Sequence, residues 1–369
     1  MSFTPKRGVP SSYPRFPTRQ RRRIITTRHR ARPLGKRSST LCKSGLRTRS
    51  VPFSKTSDSF STPQQDYETC VVLPQYQSVA ANGILLTNYN AITHPSEPNY
   101  VAASAGSNLG ITNDDYYDIP ADEKSIFDLL EAKGLKWKSY NEEIPAPGWT
   151  GYSAYGGAYV RKHNPAIIFD NIGLNQTRSA NVVSGERAGG FQCTKTKLTP
   201  LAATLLTSDI AKNNMPAYSF YTPNITNDGH NTNASFAGTW LVDFLDSTLK
   251  NAEFMKDALV LITYDENASS NKRNQVWSCL IGGAIPKHLK GTTDDTFYTH
   301  YSALHTVELN WGLGSLGRGD ANKTLANVFG FAADVLGYKN VEVRDVPLMN
   351  DTITGLLTGK SWNETNPAR

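Results

Sequence analysis

The rhythm of apolar and polar positions changes near residue 67. Beyond it come short continuous apolar runs, "ETCVVL" (68–73), "AIIFDNI" (166–172), "AYSFYTPN" (217–224), "ALVLITYDEN" (258–267) and "VWSCLIGGAI" (276–285). Such runs predict strands buried on both faces. Between them lie helical patterns. "ADEKSIFDLLEAKG" (121–134) has Pro120 ahead of it, acids in its first turn, Ile126, Leu129 and Leu130 on one face, and Gly134 as its stop. "PQYQSVAANG" (74–83) is helical in part, and "ASFAGTWLVDFLDSTLKNAEFM" (234–255) is long and periodic enough for a crossover helix. Strand, helix, strand repeated predicts a mostly parallel α/β sheet. Ligands of such sheets sit beyond the carboxyl ends of the strands, so polar residues after the apolar runs are the candidates.

Those residues are Asp265-Glu266-Asn267 after "LVLITY", Asp228 and His230 after "AYSFYTPN", and Ser96 in "LLTNYNAITHPSEPNY". Each alone has an ordinary explanation. An Asp-Glu pair after a strand is usually a solvated loop, Asp228-Gly229 a turn, Ser96 a helix N-cap. His300 in "YTHYSALHTVEL" reads as a helix-start residue, with His305 packing one turn later. Together they describe phosphoryl chemistry. A serine at a helix N-terminus meets free amides and partial positive charge, the place for a phosphate. A divalent cation on Asp and Glu oxygens would activate its hydroxyl, and histidines would bind phosphate oxygens or protonate the leaving group.

Charge narrows the picture further. The 369 residues, 38% apolar, carry a formal net charge of +7. Residues 1–57 hold 16 Lys/Arg and no acid, leaving 23 basic against 32 acidic residues in the rest, a net −9. Residues 1–66 are therefore expected to form a basic extension without fixed structure, and 67–369 the folded domain. The extension has the composition of a nucleic-acid arm or an organelle transit sequence, and equally of a non-native stretch left by a misplaced gene boundary. It lacks the apolar core of a secretory signal, and no run approaches transmembrane length.

The stretches "GILLTNYNAITHPSEPNYVA", "KHNPAIIFDNI", "FYTPNITNDGHNT", "LVLITYDEN", "GGAIP", "GTTDDTFYTHYS" and "VELNWGLGSLGR" resemble, in order from about residue 67 to 355, the fungal secreted acid phosphatases. These belong to the phosphoesterase family that includes bacterial phospholipases C, within the alkaline-phosphatase-like superfamily. The resemblance implies a three-layer α/β/α sandwich and hydrolysis of phosphate monoesters at acidic pH. Carried over by position, Ser96 is the nucleophile and Asn99 and His94 contact phosphate. Asp265 and Glu266, with Ser96, hold one divalent metal ion. His230 and His300 are active-site histidines, with Asp228 beside the first. The substrates implied are phosphorylated small molecules, with no specific nucleic acid, and the location implied is secreted or cell wall.

Two stretches depart from the family. Its members carry a Glu-Asn pair directly after the first strand as further metal ligands, whereas Leu73 is followed by Pro74-Gln75-Tyr76. "SGERAGGFQCTKTKLTP" (184–200) also fits poorly. With few protein ligands, a cation would be held loosely. Asn175, Asn224, Asn233, Asn267, Asn322, Asn350 and Asn363 lie in N-x-S/T sequons, suggesting the secretory pathway, with Asn267 close to the site. Cys42, Cys70, Cys193 and Cys279 show no metal-ligand spacing. Two other readings stand beside the phosphatase: a phosphodiesterase of phospholipase C type, and a catalytically impaired homologue, lacking the Glu-Asn pair, whose basic arm binds a polyanion.

Overall fold

The computed structural model describes residues 47–53, 66–185, 191–194, 197–200 and 205–361. Its centre is an eight-stranded sheet. In chain order the strands are β1 (Arg47–Phe53), β2 (Ile84–Leu86), β3 (Trp137–Asn141), β4 (Val182–Ser184), β5 (Tyr218–Thr222), β6 (Ala258–Tyr264), β7 (Ser278–Ile281) and β8 (Thr292–Asp294). They lie side by side as β8-β2-β7-β6-β1-β5-β3-β4. The pairs from β6 through β1, β5 and β3 to β4 are parallel, whereas β7 is antiparallel to both its neighbours.

In β3, β4 and β5 the side chains alternate between the two faces of the sheet. Trp137, Val182, Tyr218 and Phe220 point to one face, into the core built by α3 (Ser96–Ala105), α4 (Ile126–Ala132) and α7 (His300–Trp311). Tyr140, Val183 and Tyr221 point to the other, against α1 (Tyr67–Val71), α2 (Pro74–Ala80) and α5 (Ala234–Phe244). The expected α/β fold, a three-layer α/β/α sandwich with a mostly parallel sheet, is the one observed. All seven residues of β6 are buried, as its unbroken apolar run predicted. Each Leu, Ile or Val there contributes about 1.5–3 kcal/mol by leaving water.

Local sequence explains the element ends. α4 starts where the Ser125 amide donates to Asp128 Oδ2 at 2.8 Å in a capping box, and Gly134, at φ +71°, follows its end. The long crossover splits. After α5 the chain makes a wide turn over Leu245–Leu249, and Asn251 then caps α6 (Ala252–Met255) by accepting from the Phe254 amide at 2.9 Å.

Two predicted strands are not strands. "ETCVVL" forms α1, burying Cys70 and leaving Val72 exposed. The sheet position it was expected to fill is taken by β1, seated between β6 and β5 and lying inside the stretch read as an unstructured extension. Ahead of α1, Asp66 accepts from the Ala268 amide (2.9 Å) and Ser269 hydroxyl (2.8 Å) and pairs with Lys272 (3.0 Å). "AIIFDNI" is buried but turns, because Asn164 Oδ1 accepts from the amides of Ala166 and Ile167 (3.3 Å each) and curls the chain. A single bridge, Ile119 to Phe169, precedes a helical turn over Asp170–Gly173. Periodicity does not separate a buried strand from a buried turn.

Candidate active site

Three parallel strands end at one edge of the sheet, and the residues after them converge. Asp265 and Glu266 follow β6, Glu142 follows β3, and the loop after β5 carries Asp228 and His230. Ser96 opens α3, with Pro95 in the N-cap position. The serine therefore stands one place inside the helix rather than capping it. It stands beside the Asp265 carboxyl, whose two oxygens are buried with no hydrogen-bond partner among the described residues. Ser96, Asp265, Glu266 and Asp228 are all buried.

That burial governs the electrostatics. The Asp265 carboxyl is pushed well above the usual carboxylate range, first by burial and then by the negative charge of Asp228; the nearby Ser96 hydroxyl and the Lys162 charge act against the shift. Two carboxyl groups that oppose each other's ionisation are what a cation relieves. Hard oxygen donors are also what Mg²⁺ or Ca²⁺ accepts. Donor number is the shortfall: among the described residues no three His, Cys, Asp or Glu side chains are grouped to hold a metal.

The place of the missing Glu-Asn pair moves with the first strand. Phe53, the last residue of β1, pairs with Tyr264, immediately before Asp265. The position after the first strand is therefore that of Ser54-Lys55, and not the Leu73-Pro74 junction, which links α1 to α2. Ser54 and Lys55 are not a Glu-Asn pair either, and they lie outside the described residues.

Asn99 was expected to touch phosphate, but its amide is fully engaged by its own chain. Oδ1 accepts from the amides of Ile92 (2.9 Å) and Thr93 (3.2 Å), and Nδ2 donates to the carbonyls of Thr93 (2.8 Å) and Pro95 (3.1 Å). Asn99 straps down the loop that delivers Ser96. His94 has a similar task. Its Nε2 faces Asn267 O and Oδ1 at 3.2 and 3.1 Å, and burial lowers its pKa. His300, fixed at the start of α7 by the Thr299 cap, donates from Nε2 to the Asp265 carbonyl (2.7 Å) while Nδ1 faces the Tyr89 hydroxyl (3.3 Å). Burial lowers it to about 4, so it stays neutral and braces the Asp265 backbone. His305, one turn on, contacts the Ala326 carbonyl (2.7 Å) and the edge of Tyr338, away from the cluster.

His230 is held differently. Its amide donates to Asp228 Oδ1 at 2.8 Å and its Nδ1 meets Asn231 Oδ1 at 2.8 Å. Sequence reasoning missed two residues that shape this loop. Glu142 accepts from the Tyr221 hydroxyl (2.9 Å), the Asn224 amide (3.0 Å) and Asn227 Nδ2 (2.7 Å), clamping the turn that leads to Asp228. His163 Nδ1 lies 3.5 Å from Asp228 Oδ2. Glu142 sits directly after a strand, the positional signal already applied to Asp265. His163 lies in "KHNPA", a stretch noted for its resemblance but not for its chemistry.

The class this defines is a three-layer α/β/α protein with a serine, carboxylates and histidines at the carboxyl ends of parallel strands. The sequence matches the model of the Phosphoesterase family over residues 48–314, from within β1 to beyond α7. The chain belongs to that family. It is 39% identical to an acid phosphatase of Aspergillus fumigatus, covering 82% of this chain and 64% of the relative. It is 42% identical to a probable acid phosphatase of Kluyveromyces lactis, covering 79% and 66%. The chain thus spans just under two thirds of the length of these relatives. Among solved structures, a protein in the alkaline phosphatase superfamily from Vibrio parahaemolyticus matches 74% of this chain and 69% of its own at 12% identity, with a TM-score of 0.45.

Proposed function

We propose that this chain is an acid phosphatase that hydrolyses phosphate monoesters of small molecules through a phosphoseryl intermediate on Ser96. The observation that carries the reading is Ser96, at the N-terminus of α3, beside the buried Asp265, whose two carboxylate oxygens have no hydrogen-bond partner among the described residues. Helix amides and their partial positive charge favour a phosphate at that point. Ser96 Oγ attacks phosphorus, the bond from phosphorus to the ester oxygen breaks, and the hydroxyl proton leaves toward Asp265. His230, its ring fixed through Nδ1 by Asn231, stands as the donor to the departing oxygen. Water then attacks the phosphoserine as His230 takes its proton, the phosphorus–Oγ bond breaks, and the proton held at Asp265 returns to Oγ as phosphate leaves. Asp265, Glu266 and Ser96 would hold a divalent cation, which would supply neutralisation of phosphate charge.

We extend the proposal to a secreted glycoprotein. Asn175 and Asn322 are exposed sequon asparagines on the described surface, and no helix among the described residues is long and apolar enough to cross a membrane.

The experiment is hydrolysis of p-nitrophenyl phosphate between about pH 4 and pH 9 by the wild type and Ser96→Ala, each with and without a chelator. Expected is turnover that is best below neutrality and absent in the variant. A flat pH profile, or an active Ser96→Ala, contradicts the reading.

A further inference from the structure

His163 ends the tight turn Arg161–His163 and is buried where three elements meet. Its ring lies flat on Tyr100 of α3, with centroids 5.0 Å and planes 16° apart. The ring meets His230 edge-on at 6.0 Å and 61°. Its carbonyl accepts from the Thr222 hydroxyl at 3.0 Å, at the carboxyl end of β5. From this seat Nδ1 faces Asp228 Oδ2 at 3.5 Å, while the other oxygen of the same carboxylate accepts the His230 amide at 2.8 Å. Asp228 thus bridges the His163 ring and the His230 backbone. Burial, helped by the charges of Lys162 and His230, holds His163 well below the usual histidine range, so it is a neutral imidazole. A neutral ring that faces a carboxylate through Nδ1 carries its proton there.

We propose that His163 is a positioning residue: its Nδ1–H, delivered by the stack on Tyr100, orients Asp228 and through it sets where His230 stands relative to Ser96. The inference deepens the phosphatase reading and rests on it for the reaction served. Two contacts must be told apart, the ring stack and the N–H. His163→Phe keeps the stack and loses the donor. His163→Asn places an amide N–H close to the Nδ1 position and loses the ring.

The test measures kcat for p-nitrophenyl phosphate and the imidazole NMR signals of His230, assigned by their loss in His230→Asn. Removing the hydrogen-bonded support of a site group typically costs about ten- to a hundredfold in activity. That loss is expected in His163→Phe, with a shifted His230 signal, and His163→Asn is expected to recover most of both. Equal losses in the two variants would make the stack the whole contribution and overturn the proposal. Unmoved His230 signals in His163→Phe would overturn it as well. Failure of the phosphatase reading would show separately, as an inactive wild type in which the His230 signal still responds to His163→Phe and not to His163→Asn.

Discussion

Replacing Asn99 by alanine separates two roles for the asparagine three residues after the candidate nucleophile. If the amide contacted phosphate, the variant would bind substrate poorly and keep its stability. The structure instead commits the side chain to four hydrogen bonds, with the amides of Ile92 and Thr93 and the carbonyls of Thr93 and Pro95, in a site 1% exposed. At about 1 kcal/mol net per bond, their loss costs on the order of 4 kcal/mol, more where a buried group finds no water. For a domain of this size 1 kcal/mol moves the melting temperature by about 2–4 °C, so a fall of roughly 10 °C is expected. Ser96 would lose its fixed approach at the same time, and kcat would fall with it. Thermal unfolding followed by circular dichroism, beside steady-state kinetics, reads both quantities. An unchanged melting temperature with a raised KM would refute the strap and restore direct phosphate contact.

Other consequences follow from the same geometry. Burial, with the charge of Asp320, raises the Glu308 carboxyl to about 9 from an ordinary 4.5. The folded state then binds more protons than the unfolded chain between those values, so this group contributes stability that is full below about pH 4.5 and lost as pH rises through about 9. Urea unfolding at pH 5 and pH 9 should show a smaller alkaline loss in Glu308→Gln than in the wild type, and parallel losses would disprove the assignment. Glu142→Gln offers one oxygen where Asn224, Asn227 and Tyr221 have two, so kcat should drop by about tenfold while the melting temperature moves by only a few degrees; full activity would show that the clamp is dispensable. In material secreted from a eukaryotic host, glycopeptide mapping should find sugar on Asn175 and Asn322. Asn267 should stay bare, because its Nδ2 is buried and donates to the Arg273 carbonyl at 2.7 Å.

The fold was readable where burial and periodicity agree. The runs at 217–224, 258–267 and 276–285 are strands because each fills the sheet on both faces. The reading failed where a buried apolar stretch had another way to be satisfied. Residues 68–73 became a helix because β1 already occupies the slot between β5 and β6. Residues 166–169 turned because Asn164 caps their amides. Nothing in "RTRSVPF" announces a central strand: it is short, half polar and interrupted by proline, and only its pairing gives it that place.

The site divides along similar lines. The placement of Asp265, Glu266, Asp228 and His230 after parallel strands, and of Ser96 at a helix start, was legible, since ligands collect there and the motifs carried them. The hydrogen bonds that Asn99, His94 and His300 make to the backbone around the site were not, because such partners are set by the tertiary fold. His163 was not legible, because its contact with Asp228 is made only by the tertiary fold, and Glu142, though it follows a strand, reveals its grip on Asn224 and Asn227 only there.

The central claim is that Ser96 carries the phosphoryl group. The most direct measurement is mass spectrometry of the peptide containing Ser96 after the wild-type protein is mixed with p-nitrophenyl phosphate and quenched rapidly in acid. The account predicts a phosphoryl increment on Ser96 that appears within the first turnover and is absent in Ser96→Ala. Turnover with no phosphorylated peptide, or with the increment on another residue, would contradict it.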